Sequence, residues 1–199
     1  GDHKHIMPHI MDFVALFAVL TRLYKPSPEY YKENGADKDT LDIIKDLSPI
    51  QKAMIYDDKM PLGLATYEKK LIVAPMIKKL LREEHNPLQG VKITKDGVVY
   101  EKEGMAGISP RRIMDLITDV IGYKEDIECR TKKCVCLGIN DFKAKLEKIV
   151  ESGIPGALTY SKKEEKKYLN IRHLLESAIN EYDAAVQQDV QWAIVGMPK

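Results

Sequence analysis

A nearly continuous apolar segment close to the N-terminus constrains this chain more than any other feature. Residues 10–20 read IMDFVALFAVL and carry apolar side chains on almost every side of a helix. A helix without a polar face is buried on most sides by other elements. The segment is too short to cross a bilayer. The sequence therefore predicts a buried helix that begins near Pro8 and ends before Pro26, within a mainly α-helical fold.

Helical periodicity recurs along the rest of the chain. Two helices are predicted to start at Ser-Pro pairs, where Ser48 or Ser109 caps the helix and the proline takes the first helical position. Residues 25–40 are polar and rich in turn-forming residues, which predicts a loop. The segments with helical patterns are residues 41–47, 49–58, 65–87, 110–121, 141–152 and 161–195.

One segment changes to the period of a β-strand. Val91 and Ile93 alternate with polar residues, Asp96-Gly97 is a two-residue turn signal, and residues 98–100 supply a return strand. The order of three helical segments followed by a hairpin over residues 40–100 also resembles a winged helix. Docking of a protein fits this order as well as reading of DNA, because Glu83 and Glu84 offset the basic residues of the third segment.

The charge balance excludes partners that are recognised by a strong overall field. The chain has 199 residues, with 31 Lys and Arg, 30 Asp and Glu, and a net charge of +1. Neither nucleic acid nor an anionic membrane is therefore an expected partner. No signal-peptide pattern precedes the apolar segment, so we expect a cytoplasmic protein.

Motifs of self-sufficient catalysts are missing from the sequence. It contains no G-x-x-x-x-G-K-[ST] phosphate loop, no H-R-D or D-F-G kinase motif, and no H-E-x-x-H or G-x-S-x-G. We therefore expect this chain to have no catalytic residues of its own.

The cysteines are weak candidates for metal ligands. Cys129, Cys134 and Cys136 form C-x4-C-x-C, and a fourth ligand would have to come from a distant residue such as His85 or His173. Zinc sites usually show paired C-x2-C spacing. The sequence favours three ordinary thiols and no metal.

Three histidines cluster at the N-terminus. His3, His5 and His9 could chelate a metal adventitiously, but a frayed and solvated terminus is the preferred interpretation.

The helix that starts at Pro110 has an unusual first turn. Arg111 and Arg112 lie where the helix dipole favours acidic side chains, while the apolar stripe from Ile113 to Ile121 faces a core. A polyanion such as a phosphate would compensate for cations at this end. The alternative is that both arginines extend into water or pair with an acidic neighbour.

Three segments carry a family resemblance. GISPRRIMDLI resembles the sensor-2 segment of AAA+ ATPases, particularly the MoxR-like branch, and the N-terminal helix resembles the first lid helix, ending at Thr21 and Arg22. With KKYLNIRHLLESAINEYDAAVQQDVQWAIV, these segments resemble the C-terminal part of bacterial PrkA-type serine protein kinases, from about His5 to Val195. The hairpin and the cysteine-rich stretch are departures from that family pattern.

The resemblance implies a role for one arginine. Arg111 corresponds to the sensor-2 arginine, which would reach the γ-phosphate of ATP bound by an AAA+ core upstream, and Arg112 is at most a helper. ATP and Mg²⁺ are the cofactors implied for the full-length protein, and none is expected in this fragment. The implied partners are the upstream core, a substrate protein, and further copies of the protein in an AAA+ ring.

These expectations define a division of the chain. Residues 5–25 and 104–123 form a split, AAA+ lid-like helical subdomain, residues 26–103 form a winged-helix-like insertion with a hairpin at 91–100, and residues 124–199 form a C-terminal helical region. The implied function is to couple the ATP state of the core to helix movement and protein phosphorylation. The parent protein resembles an ATP-dependent serine protein kinase, and the fragment is expected to be inactive alone. The alternative is a non-enzymatic helical module that docks a partner protein or DNA.

Overall fold

The protein is mainly α-helical. A computed structural model describes residues 3–59, 79, 81, 83, 91–94, 97–100, 103–104, 107–123, 128–129, 132–152 and 171–196. Its described helices are α1 (Ile10–Leu20), α2 (Pro28–Glu33), α3 (Lys38–Lys45), α4 (Pro49–Tyr56), α5 (Pro110–Tyr123), α6 (Ile139–Ser152) and α7 (Ile171–Val195). The strands are β1 (His3–Ile6), β2 (Val91–Thr94), β3 (Gly97–Tyr100), β4 (Glu128–Cys129) and β5 (Lys132–Leu137).

The chain divides into two compact units. Unit 1 consists of Gly1–Thr21, Gly107–Thr159 and Asn170–Lys199, and unit 2 consists of Arg22–Ala106 and Tyr160–Leu169. Residues 5–21 and 107–123 of the predicted split subdomain therefore share unit 1 with most of the predicted C-terminal region, and its residues 22–25 and 104–106 fall in unit 2. The predicted insertion lies within unit 2.

Helix α1 lies in the core of unit 1. It contacts α5, α6 and α7, and Ile10, Val14 and Phe17 on its surface are completely buried. Phe13 packs edge-to-face against Tyr182 of α7, with ring centroids 6.0 Å apart. These three neighbours cover the side of α1 that carries Ile10, Phe13, Val14 and Phe17. Met11 and Val19 are exposed, so the prediction of burial on most sides is wrong for that side of the helix.

A three-stranded sheet completes unit 1. β5 lies in the middle and pairs in parallel with β1 and antiparallel with β4. The prediction of a frayed N-terminus is therefore wrong for residues 3–6, because His3 to Ile6 pair with Cys134 to Leu137. Met7 extends the contact by donating its backbone N–H to Leu137 O at 3.0 Å.

Unit 2 has its own small core around α2, α3 and α4. Its buried members are Tyr31, Ile44, Leu47, Ile55 and Leu81. The predicted loop over residues 25–40 is wrong in part, because α2 occupies Pro28–Glu33 and buries Tyr31 completely. The proline in the first turn favours the start of α2. Tyr31 of α2 then packs in the same buried cluster as Ile44 of α3.

Two local sequence signals in unit 2 are confirmed. Ser48 and Gln51 form a capping box at the start of α4, and β2 and β3 form the predicted antiparallel hairpin. The hairpin register pairs Thr94 with Gly97, so Gly97 belongs to β3 and the predicted Asp96-Gly97 turn is wrong for Gly97.

Some predictions fall outside the described residues. Most of the helix predicted at 65–87 is in this category, although Lys79, Leu81 and Glu83 are helical. The start of the helix predicted at 161–195 lies outside as well, and the described part begins at Ile171. The winged-helix interpretation of residues 40–100 remains a prediction. Within the described part of the chain, no helix combines the length and the apolar character needed to span a membrane.

Candidate functional site

Ser109 sets the start of the helix that carries the two candidate arginines. Its hydroxyl accepts a hydrogen bond from the backbone N–H of Arg112 at 3.2 Å, and α5 begins at Pro110. A serine cap followed by proline satisfies donors that the first turn cannot pair internally. The sequence prediction of this helix start is confirmed.

Thr21 fixes the loop before this helix to the end of α1. Its hydroxyl donates to Ala18 O at 2.7 Å and accepts from the backbone N–H of Ile108 at 3.0 Å. Both Thr21 and Ile108 are buried. The buried Thr21 hydroxyl therefore positions the first turn of α5 against the end of α1, through a contact one residue before the Ser109 cap.

Arg111 and Arg112 are both exposed in the first turn of α5. Below them, Ile113, Leu116, Ile117 and Val120 are buried. Within the described part of the chain, the Arg111 side chain forms no hydrogen bond or ion pair. The structure thus places a guanidinium group at the positive end of a helix with no internal counter-charge among the described residues, and the sensor assignment of Arg111 remains a prediction.

A surface cavity lies beside Arg112. Its volume is about 270 Å³, and it lies between α5 and α6. Three cationic and two anionic side chains line it together with two apolar ones, so its charge is nearly balanced. The lining residues are Arg112, Asp115, Leu116, Asp119, Lys145, Lys148 and Ile149. Arg111 is not part of the cavity.

A buried cluster of charged and aromatic groups in unit 2 was not anticipated from the sequence. Lys52 Nζ lies 2.6 Å from Glu103 Oε1 and donates to Tyr24 O at 2.5 Å. Glu103 also accepts from Tyr56 OH at 2.6 Å and from the backbone N–H of Tyr24 at 2.7 Å. We call these four residues, Lys52, Glu103, Tyr24 and Tyr56, the Lys52 cluster.

The Lys52 cluster fastens the two ends of the segment that forms most of unit 2. Tyr24 lies two residues after the start of the unit at Arg22, and Glu103 lies three residues before its first segment ends at Ala106. Gly104, with φ of 87°, donates its N–H to Arg22 O at 3.1 Å beside the cluster. Such a φ is accessible to glycine without strain.

Burial makes this ion pair structurally important. Lys52 is fully buried and Glu103 is 8% exposed, and a buried charge is tolerated when it is paired and hydrogen-bonded. The sequence signal is the position of Lys52 three residues before buried Ile55, on the helix face that would otherwise be apolar.

The three cysteines that were weak metal-ligand candidates lie on two strands of unit 1. Cys129 is in β4, whereas Cys134 and Cys136 are in β5. His173, one of the suggested fourth ligands, is an exposed residue of α7, and His85 lies outside the described residues. Among side chains that the structure describes, no group of three or more His, Cys, Asp or Glu could hold a metal ion.

Comparison with known families identifies the chain. Residues 50–198 match the family of the PrkA serine protein kinase C-terminal domain. The chain belongs to this family. The match includes the PrkA helix α5 with both arginines, and the fold of this PrkA domain is the mainly helical arrangement described above.

A curated relative extends the similarity across nearly the whole chain. The ATP-dependent protease PrkA of Bacillus subtilis (strain 168) is 24% identical over 191 residues, which cover 96% of this chain and 22% of the relative. This PrkA-family chain therefore spans about a fifth of the length of that protein. No solved structure matches the 199-residue chain.

Proposed function

We propose that this chain is the C-terminal lid and regulatory part of an ATP-driven PrkA-type protein. Arg111 contacts the γ-phosphate of ATP held with Mg²⁺ by an AAA+ core elsewhere in the full-length protein. Hydrolysis removes that contact and changes the orientation of the lid. The helices attached to the lid then move, and this movement controls the phosphorylation of a substrate protein.

The observation that carries this proposal is the exposed Arg111 at a rigidly anchored helix start. The helix dipole and the backbone N–H groups of the first turn favour an anion at the same place. The hydrogen bond from Ile108 N to Thr21 and the cap by Ser109 hold this turn in one position. A charge-assisted contact with phosphate needs such a fixed donor.

Family membership and the relative's name support ATP as the ligand but differ on the chemistry that follows. The family is described as a serine protein kinase domain, whereas the Bacillus subtilis relative is named an ATP-dependent protease. Sensing of ATP by Arg111 is compatible with both outputs. Proteolysis of a substrate protein is therefore a second candidate output of the same coupling.

Arg111→Ala in the full-length protein tests the sensor role. We expect ATPase turnover to fall at least about tenfold, because a positioned cation that stabilises the transferring phosphoryl group is lost. Arg112→Ala is the matched control, since it removes a neighbouring exposed arginine and is expected to change turnover less than about threefold. Unchanged turnover in Arg111→Ala would remove the assignment.

The two outputs are separated by incubating the full-length protein with a protein substrate and ATP. Phosphate transfer to serine without new peptide termini supports the kinase output, and ATP-dependent cleavage supports the protease output. Either activity in this chain alone would contradict the expectation that it contains no catalytic residues.

A second candidate function is a docking module without enzymatic coupling. The C-terminal part of α7 favours it, because Ile194 is 79% exposed and Val195 is 65% exposed. Titration of the chain with duplex DNA at two salt concentrations tests the nucleic-acid version, since phosphate contacts are lost as salt rises. Salt-sensitive DNA binding would favour this candidate over the lid.

A further inference from the structure

The sheet of unit 1 brings together two motifs that are far apart in the sequence. β1 contains H-x-H at positions 3 and 5, and β5 contains C-x-C at positions 134 and 136. In the parallel register His3 is paired with Cys134, and His5 is paired with Cys136. Two pairs of metal-ligating residue types therefore occupy adjacent positions on neighbouring strands.

These four positions belong to one face of the β1–β5 pair. Residues two apart on a strand share a face, and directly paired residues of neighbouring strands share it as well. The four Cα atoms mark the corners of a rectangle of about 4.8 Å by about 6.6 Å, from the strand spacing and twice the rise per residue. His5 and Cys136 are both exposed.

We propose that His3, His5, Cys134 and Cys136 form a binding site for a zinc ion. Two imidazoles and two thiolates are a common donor set for structural Zn²⁺, with bonds of about 2.0 to 2.3 Å in a tetrahedron. Thiolate and imidazole donors select Zn²⁺ over Mg²⁺ or Ca²⁺, which prefer oxygen ligands.

The strand register provides the additional ligands that the cysteine spacing alone does not. C-x4-C-x-C needs a fourth ligand, and the strand pairing offers the H-x-H motif in place of a distant histidine. The side chains of His3 and Cys134 lie outside the described part of the structure, so the site is inferred from backbone register. Cys129 is paired with Lys132, one strand away and beyond the end of the rectangle, so it is not one of the ligands.

A zinc ion at this site would join β1 to β5. All four ligands come from the protein, which is the arrangement of a structural site and leaves no position for a substrate. Because the ion binds the folded sheet, it stabilises unit 1 by mass action. The inference does not depend on the proposed function, since no residue of the site takes part in nucleotide sensing.

Titration of the reduced, metal-free, 199-residue chain with Zn²⁺ and Co²⁺ tests the proposal. We expect one ion per chain, a rise in the unfolding temperature, and a Co²⁺ charge-transfer band with the intensity of two thiolate ligands. Binding without a thiolate band, or with the intensity of three thiolates, would overturn the proposed ligand set. This spectrum is recorded on the unmodified chain and needs no variant to fold.

Matched substitutions locate the ion. His5→Gln and Cys136→Ser should each weaken Zn²⁺ binding at least about tenfold, because each removes one ligand from a closed site. His173→Gln and Cys129→Ser are the controls and should leave the affinity unchanged. The site would be contradicted if His173→Gln weakened Zn²⁺ binding as much as His5→Gln, or Cys129→Ser as much as Cys136→Ser. Full Zn²⁺ affinity in Cys136→Ser would also contradict it.

Discussion

Two cations of this protein have opposite environments. Lys52 in unit 2 is completely buried, and its ammonium group contacts a carboxylate and a backbone carbonyl. Arg111 in unit 1 is exposed, and it has no hydrogen bond or ion pair within the described residues. The buried cation serves the fold, because its removal leaves a buried carboxylate. The exposed cation is available for a ligand, because the fold does not require it.

The largest expected effect comes from breaking the buried pair. Lys52→Met should lower the free energy of unfolding of unit 2 by about 3 to 5 kcal/mol, because Glu103 then remains buried without its cation. Urea denaturation measures this loss. The control is Lys45→Met, which removes an exposed lysine 3.7 Å from Asp42 and should change stability by less than about 0.5 kcal/mol.

A double substitution sharpens the interpretation. In Lys52→Met with Glu103→Leu, part of the loss should be recovered, because no uncompensated charge is left. The account of the Lys52 cluster is contradicted if Lys52→Met costs no more than Lys45→Met.

The next largest effect concerns the anchor of the arginine-bearing helix. Thr21→Val removes the hydroxyl that accepts from Ile108 N, and a buried N–H without a partner costs about 1 to 3 kcal/mol. Thermal or urea unfolding of unit 1 measures the change. Thr118→Val is the matched control, because the Thr118 hydroxyl donates to Met114 O on an exposed helix face. Equal effects of the two substitutions would show that Thr21 is not an anchor.

The helix caps provide a smaller contrast between the two units. Ser48 and Gln51 exchange two hydrogen bonds at the start of α4, whereas Ser109 is observed to accept one, at an exposed site. Ser48→Ala should therefore cost about 1 kcal/mol of stability, and Ser109→Ala about half of that. Denaturation of both variants measures the order, and a larger loss for Ser109→Ala would reverse the comparison.

The smallest expected effect is a pH dependence of unit 1. His9 Nε2 lies 3.0 Å from Asp189 Oδ2 of α7, and hydrogen bonding to this carboxylate raises the pKa of His9 above its ordinary value. A raised pKa in the folded state stabilises unit 1 below about pH 6.5, and this contribution is lost as the pH rises through the raised pKa.

NMR titration of the His9 ring and thermal unfolding between pH 5.5 and 8.5 follow this contribution. Asp189→Asn should lower the pKa of His9 and remove its share of the pH dependence, whereas His173→Gln on the exposed face of α7 should not. A pH profile unaffected by Asp189→Asn would show that the pair does not act in solution.

Features with local causes could be predicted from the sequence. The Ser48 and Ser109 caps, the hairpin and the buried stripe of α5 depend on residues within a few positions of one another. The nearly all-round apolar pattern of α1 likewise predicted a helix covered by several neighbours.

Features with distant causes could not be predicted in the same way. The pairing of β1 with β5 joins residues about 130 positions apart, and H-K-H-I alone has too few apolar residues to indicate a strand. Lys52 and Glu103 are 51 positions apart. The sequence therefore shows a lysine on an apolar helix face but does not indicate which carboxylate pairs with it. The exposure of Arg111 agrees with its place at the rim of the stripe. The ligand proposed for Arg111 rests on the family resemblance.

The most direct test of the central claim compares ATP with ADP. In the full-length protein, Arg111→Ala should weaken ATP binding at least about tenfold, the value of one charge-assisted hydrogen bond. The dissociation constant for ADP, which has no γ-phosphate, should stay within about twofold. Equal weakening of both nucleotides, or no change in either, would contradict a contact between Arg111 and the γ-phosphate.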